Sequence, residues 1–301
     1  MPLLESSQDP LFLNKAANIF LSRIWNSVAF GSYRKLCMRG IIIALAFIGH
    51  GCDSPFTYSN KVRRAPAGGE SISPKIQPVK FQEGTWQFFL QHLPFKAGRI
   101  VDYTGKVISN QQKHFAILEY DVGNNDLQQC ADAIIRLRAE YLFSQDKFDS
   151  IGFHFTDGNY YSWTTYCNGM RPFLKDNKIH FLKRSPTNKT HETLRSYLDV
   201  VYVYAGTISL AKELKTAQQF EVGTIVIRPG SPGHCFIIVD EAMSETGEEV
   251  FKLAEGFTPA QSIYLLSNPY DAELNPWYRL TEGPISTASY YFESYKIGKF
   301  E

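Results

Sequence analysis

No C-x2-C or H-x3-H pair occurs in this 301-residue sequence, so nothing in it is spaced like a zinc site. No glycine-rich phosphate loop follows a strand-like run either. Metal and nucleotide cofactors are therefore not expected. An excess of one charge is also missing. With 31 Lys and Arg against 30 Asp and Glu, the net charge is +1, which leaves no footprint for nucleic acid. Cysteine is sparse, at five residues. The three beyond residue 52 (Cys130, Cys167 and Cys235) are an odd set that does not describe a disulfide scaffold, although one bridge is compatible with an oxidising compartment. What the sequence does hold in quantity is aromatic: 17 Tyr and 22 Phe, which suit sheet-rich structure.

The first 52 residues carry Lys15, Arg23, Arg34, Lys35 and Arg39 against Glu5 and Asp9, a balance of +3 that leaves −2 for the remainder. From Met38 the text is MRGIIIALAFIGHGC. Arg39, the apolar run Ile41–Ile48, small Gly49 and Gly51, and then Cys52 have the anatomy of a secretory signal peptide, and the run is too short for a spanning helix of about 20 residues. Two readings of residues 1–37 stand. Either Met38 is the true start, or 1–37 is a long n-region; a third alternative makes Ile41–Ile48 a buried helix fragment. Residues 53–80 hold Pro, Ser and Gly with little apolar periodicity and are expected to be a flexible tether. The folded body is expected over 81–301 as a single α+β domain.

Within that body the spacing predicts a helix over Thr85–Leu93, strands near Arg99–Tyr103 and Phe115–Asp121, and a helix over Leu127–Phe143 capped by Asn125 or Asp126. In that helix Cys130 reads as core, and Asp132–Arg136 and Arg136–Glu140 as surface pairs at i,i+4. A strand follows at Ile151–Phe155, then the aromatic stretch NYYSWTTYCNGMRP with Cys167 and Arg171. Helices are expected over Glu192–Tyr204, capped by Thr190, and Ile208–Leu214 after Gly206. The last strand is expected over Ser289–Tyr295.

The centre of the chain is Val222–Leu266. Three strands, Thr224–Ile227, Cys235–Val239 and Val250–Ala254, with a fourth at Ile263–Leu266, are apolar on both faces and so are expected to be central and covered on both sides. His234 stands where the turn RPGSPGH enters the second of them. A polar side chain held at a sheet rim by two prolines and two glycines is well placed for chemistry. Cys235 should point to the opposite face and pack as a small core residue.

The segments LQQCADAIIRLRAEYL, YLDVVYVYAGTISLAKEL, GSPGHCFIIVDEA and LAEGFTPAQSIYLL together resemble a family of bacterial secreted lipoproteins, domain of unknown function 4846. The resemblance covers about residues 81–300. It implies export and a membrane anchor, with Cys52 as the lipid-attachment cysteine. This sequence has Cys235 where Ala is usual and Glu255 where an amide is usual. A helix, a strand opening on Gly223-Thr224, then Gly233-His234 and a further strand with a polar residue also resemble the papain-like cell-wall peptidases. That resemblance implies a central antiparallel sheet packed with helices, a nucleophile at a helix N-terminus, a His on a strand and an orienting third residue. It maps the helix start to Gly206–Ser209, His234 second and Glu255 third, with no Cys at the first position.

The function expected is thus a lipid-anchored cell-envelope protein with a papain-like groove around His234 that binds a cell-wall peptide or glycan. One alternative is a hydrolase using Ser209 or Thr207 with His234 and Glu255, and Arg171 and Cys167 as substrate-binding residues. Another is an interaction subunit that meets its partner through the aromatics Tyr160–Tyr166. Thr207 and Ser209 also suit plain helix capping.

Overall fold

Runs of β-branched and aromatic residues account for the strands of the computed structural model, which describes residues 76–301. The signal read at 38–52, Cys52 and the tether up to residue 75 lie outside the described residues. In chain order the elements are β1 (Gln77–Pro78), α1 (Trp86–Gln91), β2 (Phe95–Lys96), β3 (His114–Leu118), α2 (Cys130–Ser144), β4 (Gly152–His154) and β5 (Tyr160–Ser162). There follow α3 (Trp163–Cys167), β6 (Met170–Lys175), β7 (Lys178–Lys183), α4 (His191–Tyr204), α5 (Thr207–Glu213), β8 (Lys215–Thr216) and β9 (Ile225–Arg228). The chain closes with β10 (His234–Met243), β11 (Glu249–Glu255), β12 (Tyr264–Leu266), β13 (Ile285–Ser286), β14 (Tyr291–Phe292) and β15 (Lys296–Lys299).

One antiparallel sheet organises them, in the order β2-β3-β12-β11-β10-β9-β15-β8, with β1 adding to β10. The fold is mixed helix and sheet with mainly antiparallel pairing, as an α+β class requires. Three of the four central strands lie within one residue of where the apolar runs put them, and β10 runs four residues further, to Met243. Ile225, Val226, Ile227 and Phe236 to Val239 are all buried, as runs without polar alternation should be. Helices α1 and α2 pack on β10, and the far face is closed by the C-terminal segment, where Phe292 meets Phe236 at 5.3 Å. Among the described residues no helix is long and apolar enough to cross a membrane.

Four expectations change. Arg99–Tyr103 forms only single bridges at Val101 and Asp102, because the Gln111 amide takes both backbone groups of Ile100. The expected last strand is split, and β15, beyond it, enters the main sheet beside β9. Helix α2 begins three residues late, at Cys130, with Gln129 as its N-cap and Asp132 Oδ2 accepting from the Gln129 N–H at 3.1 Å. The side chain of Asp126, which the sequence offers as a cap, is instead spent across the fold on the N–H of Ala260 (2.7 Å). Arg136 is not a surface residue either. It is buried and bonds Glu140 (2.8 Å), Gln128 (2.9 Å) and Asp121 (3.1 Å), tying the segment before Cys130 to the helix.

Candidate functional site

The turn before β10 is held from both ends. Gly230 and Gly233 let the backbone fold tightly, and a Cβ on Gly233 would stand 2.3 Å from Thr207 Oγ1. Thr207 Oγ1 donates to Gly230 O (3.1 Å) and accepts from Gly230 N–H (3.2 Å), so it braces the turn that carries His234. Ser209 Oγ accepts from Gly206 N–H (3.0 Å) and donates back to Gly206 O (3.0 Å), closing its own helix. Both hydroxyls are committed to backbone, and the described contacts place neither on the His234 ring. Ser209 thus serves the start of its helix, as capping requires, whereas Thr207 bonds the distant Gly230 turn instead of its own helix.

His234 is 3% exposed and ringed by Phe257 (centroids 4.9 Å), Tyr290 (4.7 Å) and Phe292 (5.7 Å). Its Nε2 lies 2.9 Å from Glu255 Oε2, at the end of β11. A carboxylate only accepts, so Nε2 carries the proton and Nδ1 is left free for another partner. The second Glu255 oxygen takes the Tyr264 hydroxyl. The orienting pair expected from the sequence is therefore formed.

The partner on the remaining side is Cys130. It is the first residue of α2, half-buried, with Sγ 3.9 Å from Gly233 O. It shares side-chain hydrogen bonds with Cys235 and His234. Strand alternation does separate His234 from Cys235, as expected: His234 shares Phe292 with Phe236, whereas Cys235 faces the thiol of Cys130. The start of α2 lies over the rim of the strand, where both side chains reach it. The helix start expected at His234, Gly206–Ser209, makes no described contact with its ring. The helix end that meets His234 is that of α2, and a cysteine stands on it.

Charge follows from this placement. The hydrogen bond from Cys235 lowers the Cys130 thiol most; burial opposes it, and His234 and the Ala131 N–H add to it, bringing the group down to about 5. The first N–H groups of a helix lack intrahelical partners and favour a negative sulfur. For His234, burial disfavours the charge, but the hydrogen bonds to Cys130 and Glu255 overcome it and raise the ring to about 9. Burial, together with the bond to Cys130, holds the Cys235 thiol well above its usual range, so Cys235 is the donor of that pair. Between about 5 and about 9 the resting state is a thiolate beside an imidazolium.

The other sequence candidates are engaged elsewhere. Arg171 bonds Tyr166 O and Met170 O (3.1 Å) and stacks on the Tyr166 ring at 3.5 Å. Cys167 is buried with Sγ 3.9 Å from Asn188 O, and burial pushes its thiol up. Neither shares a described contact with Cys130, His234 or Glu255. Of the aromatic stretch, Tyr161, Trp163 and Tyr166 are core and Tyr160 is exposed. Among the described residues no group of three or more His, Cys, Asp or Glu is gathered to hold a metal ion.

Sequence reasoning missed Cys130. No strong local signal marks it, because Gln129 is a weak N-cap by type and only the Asp132 carboxylate, three residues on, takes its N–H. Comparison with known families gives one match: the model of domain of unknown function 4846 spans residues 71–299. No curated protein and no solved structure matches the chain.

Proposed function

The chain belongs to the family of domain of unknown function 4846, and within it we propose that Cys130, His234 and Glu255 act as a papain-like thiol hydrolase on an amide of a cell-wall peptide. The observation that carries this reading is the meeting of a helix-terminal thiol with a buried His–Glu pair, from three distant parts of the chain. That is the nucleophile, base and orienter arrangement of acyl transfer. A thiolate attacks a carbonyl, whereas glycoside hydrolysis uses paired carboxylates, so of the two expected ligands the peptide is the one supported.

The steps balance as follows. Cys130 sulfur adds to the amide carbon, and the charge that gathers on the oxygen is favoured by the positive end of the α2 dipole. His234 Nδ1–H then protonates the leaving amine, the C–N bond breaks, and a thioester remains on Cys130. Neutral His234 takes a proton from water, whose oxygen attacks the thioester, and the carboxylic acid leaves with Cys130 restored. Glu255 holds the ring throughout and never accepts its proton.

The reading is tested by the rate of Cys130 alkylation with iodoacetamide against pH, followed by peptide mapping. Half-maximal reactivity is expected near pH 5. A midpoint in the ordinary thiol range, about 8.5, overturns it.

The setting proposed for this chemistry is the cell envelope, with the chain exported and held by a lipid on Cys52. Its support is the signal-like text of Met38–Cys52. In a bacterial host the wild-type chain is expected in the membrane fraction and Cys52→Ala in the soluble one. Equal fractionation of the two, with the signal removed from both, rejects the anchor.

A further inference from the structure

A cleft of about 550 Å³ opens beside the site, lined among others by Lys106, Lys113, Phe257, Thr258, Gln261 and Ser289. At its base lies Lys113, only 6% exposed. An ammonium has three protons to give and is costly to bury without a partner for its charge. Here Lys113 Nζ donates to Gln261 Oε1 (3.1 Å) and faces the rings of Phe257 (4.5 Å) and Tyr264 (4.8 Å). None of the ion pairs among the described residues involves it. The amide that it meets is fixed in turn, because Gln261 Nε2 is spent on Pro259 O (2.9 Å). Asp102, the acidic residue of the same lining, is occupied by Thr104 and the Lys106 N–H.

Two residues of the cleft lining, Phe257 and Thr258, also touch the site. The Phe257 ring centroid lies 4.5 Å from the Lys113 ammonium and 4.9 Å from the His234 imidazole centroid. Thr258 donates to Gln129 Oε1 (3.3 Å), the residue directly before Cys130. Through Phe257 the ammonium and the imidazole are therefore at most about 9 Å apart, a span that two or three residues of extended peptide cover at roughly 3.3 Å each.

Resting on the thiol-hydrolase reading, we propose that this cleft is a specificity subsite in which Lys113 receives a free carboxylate of the peptide, two or three residues from the bond that Cys130 attacks. The carboxylate supplies the direct ion pair that Lys113 lacks among the described residues, where Glu255 acts on it only through space, and Ser289 offers a hydroxyl beside it. A substrate without that carboxylate covers Lys113 and gives it no ion pair in return, which is how a polar pocket rejects an uncharged analogue.

The test uses the full chain and covalent probes: N-bromoacetyl peptides of one, two and three glycines, each as the free acid and as the C-terminal amide. Cys130 alkylation is timed by mass spectrometry at pH 7, with iodoacetamide on the same protein as reference. The acid is expected to outpace its amide by about tenfold at two or three glycines, the worth of one charge-assisted hydrogen bond. The preference should vanish in Lys113→Met and return in Lys113→Arg. Equal rates for acid and amide at every length, with iodoacetamide still fast, overturn the subsite and leave the thiolate reading standing. Slow iodoacetamide labelling overturns both. The wild-type comparison needs no variant, so it decides even if Lys113→Met fails to fold.

Discussion

Cys130→Ala is expected to abolish the burst of p-nitrophenolate that the wild-type chain releases from p-nitrophenyl acetate, lowering acylation by at least roughly 10³-fold, since loss of a nucleophile removes the covalent step itself. An activated ester is a suitable probe because it asks little of the binding groove and reports the nucleophile directly. One equivalent per folded chain is the expected burst. Ser209→Ala and Thr207→Ala should keep that amplitude, because their hydroxyls bond Gly206 and Gly230 rather than the imidazole. Their cost should appear as stability, about 0.5–1.5 kcal/mol for each lost hydrogen bond. A burst that survives Cys130→Ala and disappears with Ser209→Ala would reverse the assignment of the nucleophile.

The second large effect concerns His234. The wild-type acylation rate is expected to follow a bell in pH, rising through about 5 as the Cys130 thiol loses its proton and falling through about 9 as the His234 ring loses its own. His234→Gln keeps an N–H for the Glu255 carboxylate and so avoids leaving a buried charge unpaired. It cannot form an imidazolium, so the sulfur loses that stabilisation and the rising limb moves to higher pH. The bonds from Cys235 and the Ala131 N–H remain, which makes the shift partial. At pH 6 a fall of about 10- to 100-fold is expected, because the thiolate is the reactive form and its share drops faster than its intrinsic nucleophilicity rises. Glu255→Gln should act on the other limb. Removing the carboxylate destabilises the imidazolium, so the falling limb moves to lower pH while the rising one changes less. Acylation profiles of the three chains against pH decide the matter. Identical profiles would mean that the ring and the thiol do not interact.

Much of the site was legible before any coordinates. A turn of two prolines and two glycines points to a fixed side chain at its end, and His234 is there. A polar residue on the next apolar strand points to an orienting partner, and Glu255 lies 2.9 Å from the ring. The first inference rests on a local rule of turn chemistry, and local rules survive folding when neighbours agree with them; the second rests on the resemblance to the papain-like peptidases. The start of α2 was not legible in the same way. Asn125 and Asp126 are better N-caps than Gln129, and Leu127 continues the apolar stripe, so local preference favours an earlier start. With that start Cys130 falls inside the helix, where a cysteine is ordinarily packing.

The sequence by itself determined the central strands and the histidine at their rim, because burial on both faces and a rigid turn are written in consecutive residues. Tertiary structure brought Glu255 to that ring and decided which thiol meets it. The Ala260 N–H, brought up from a loop more than a hundred residues away, takes the Asp126 side chain at 2.7 Å. The helix therefore opens at Cys130, and an interior thiol becomes a helix-terminal one beside His234. A cap is a contest between competing hydrogen bonds, and here one competitor comes from a part of the chain that no local pattern can see.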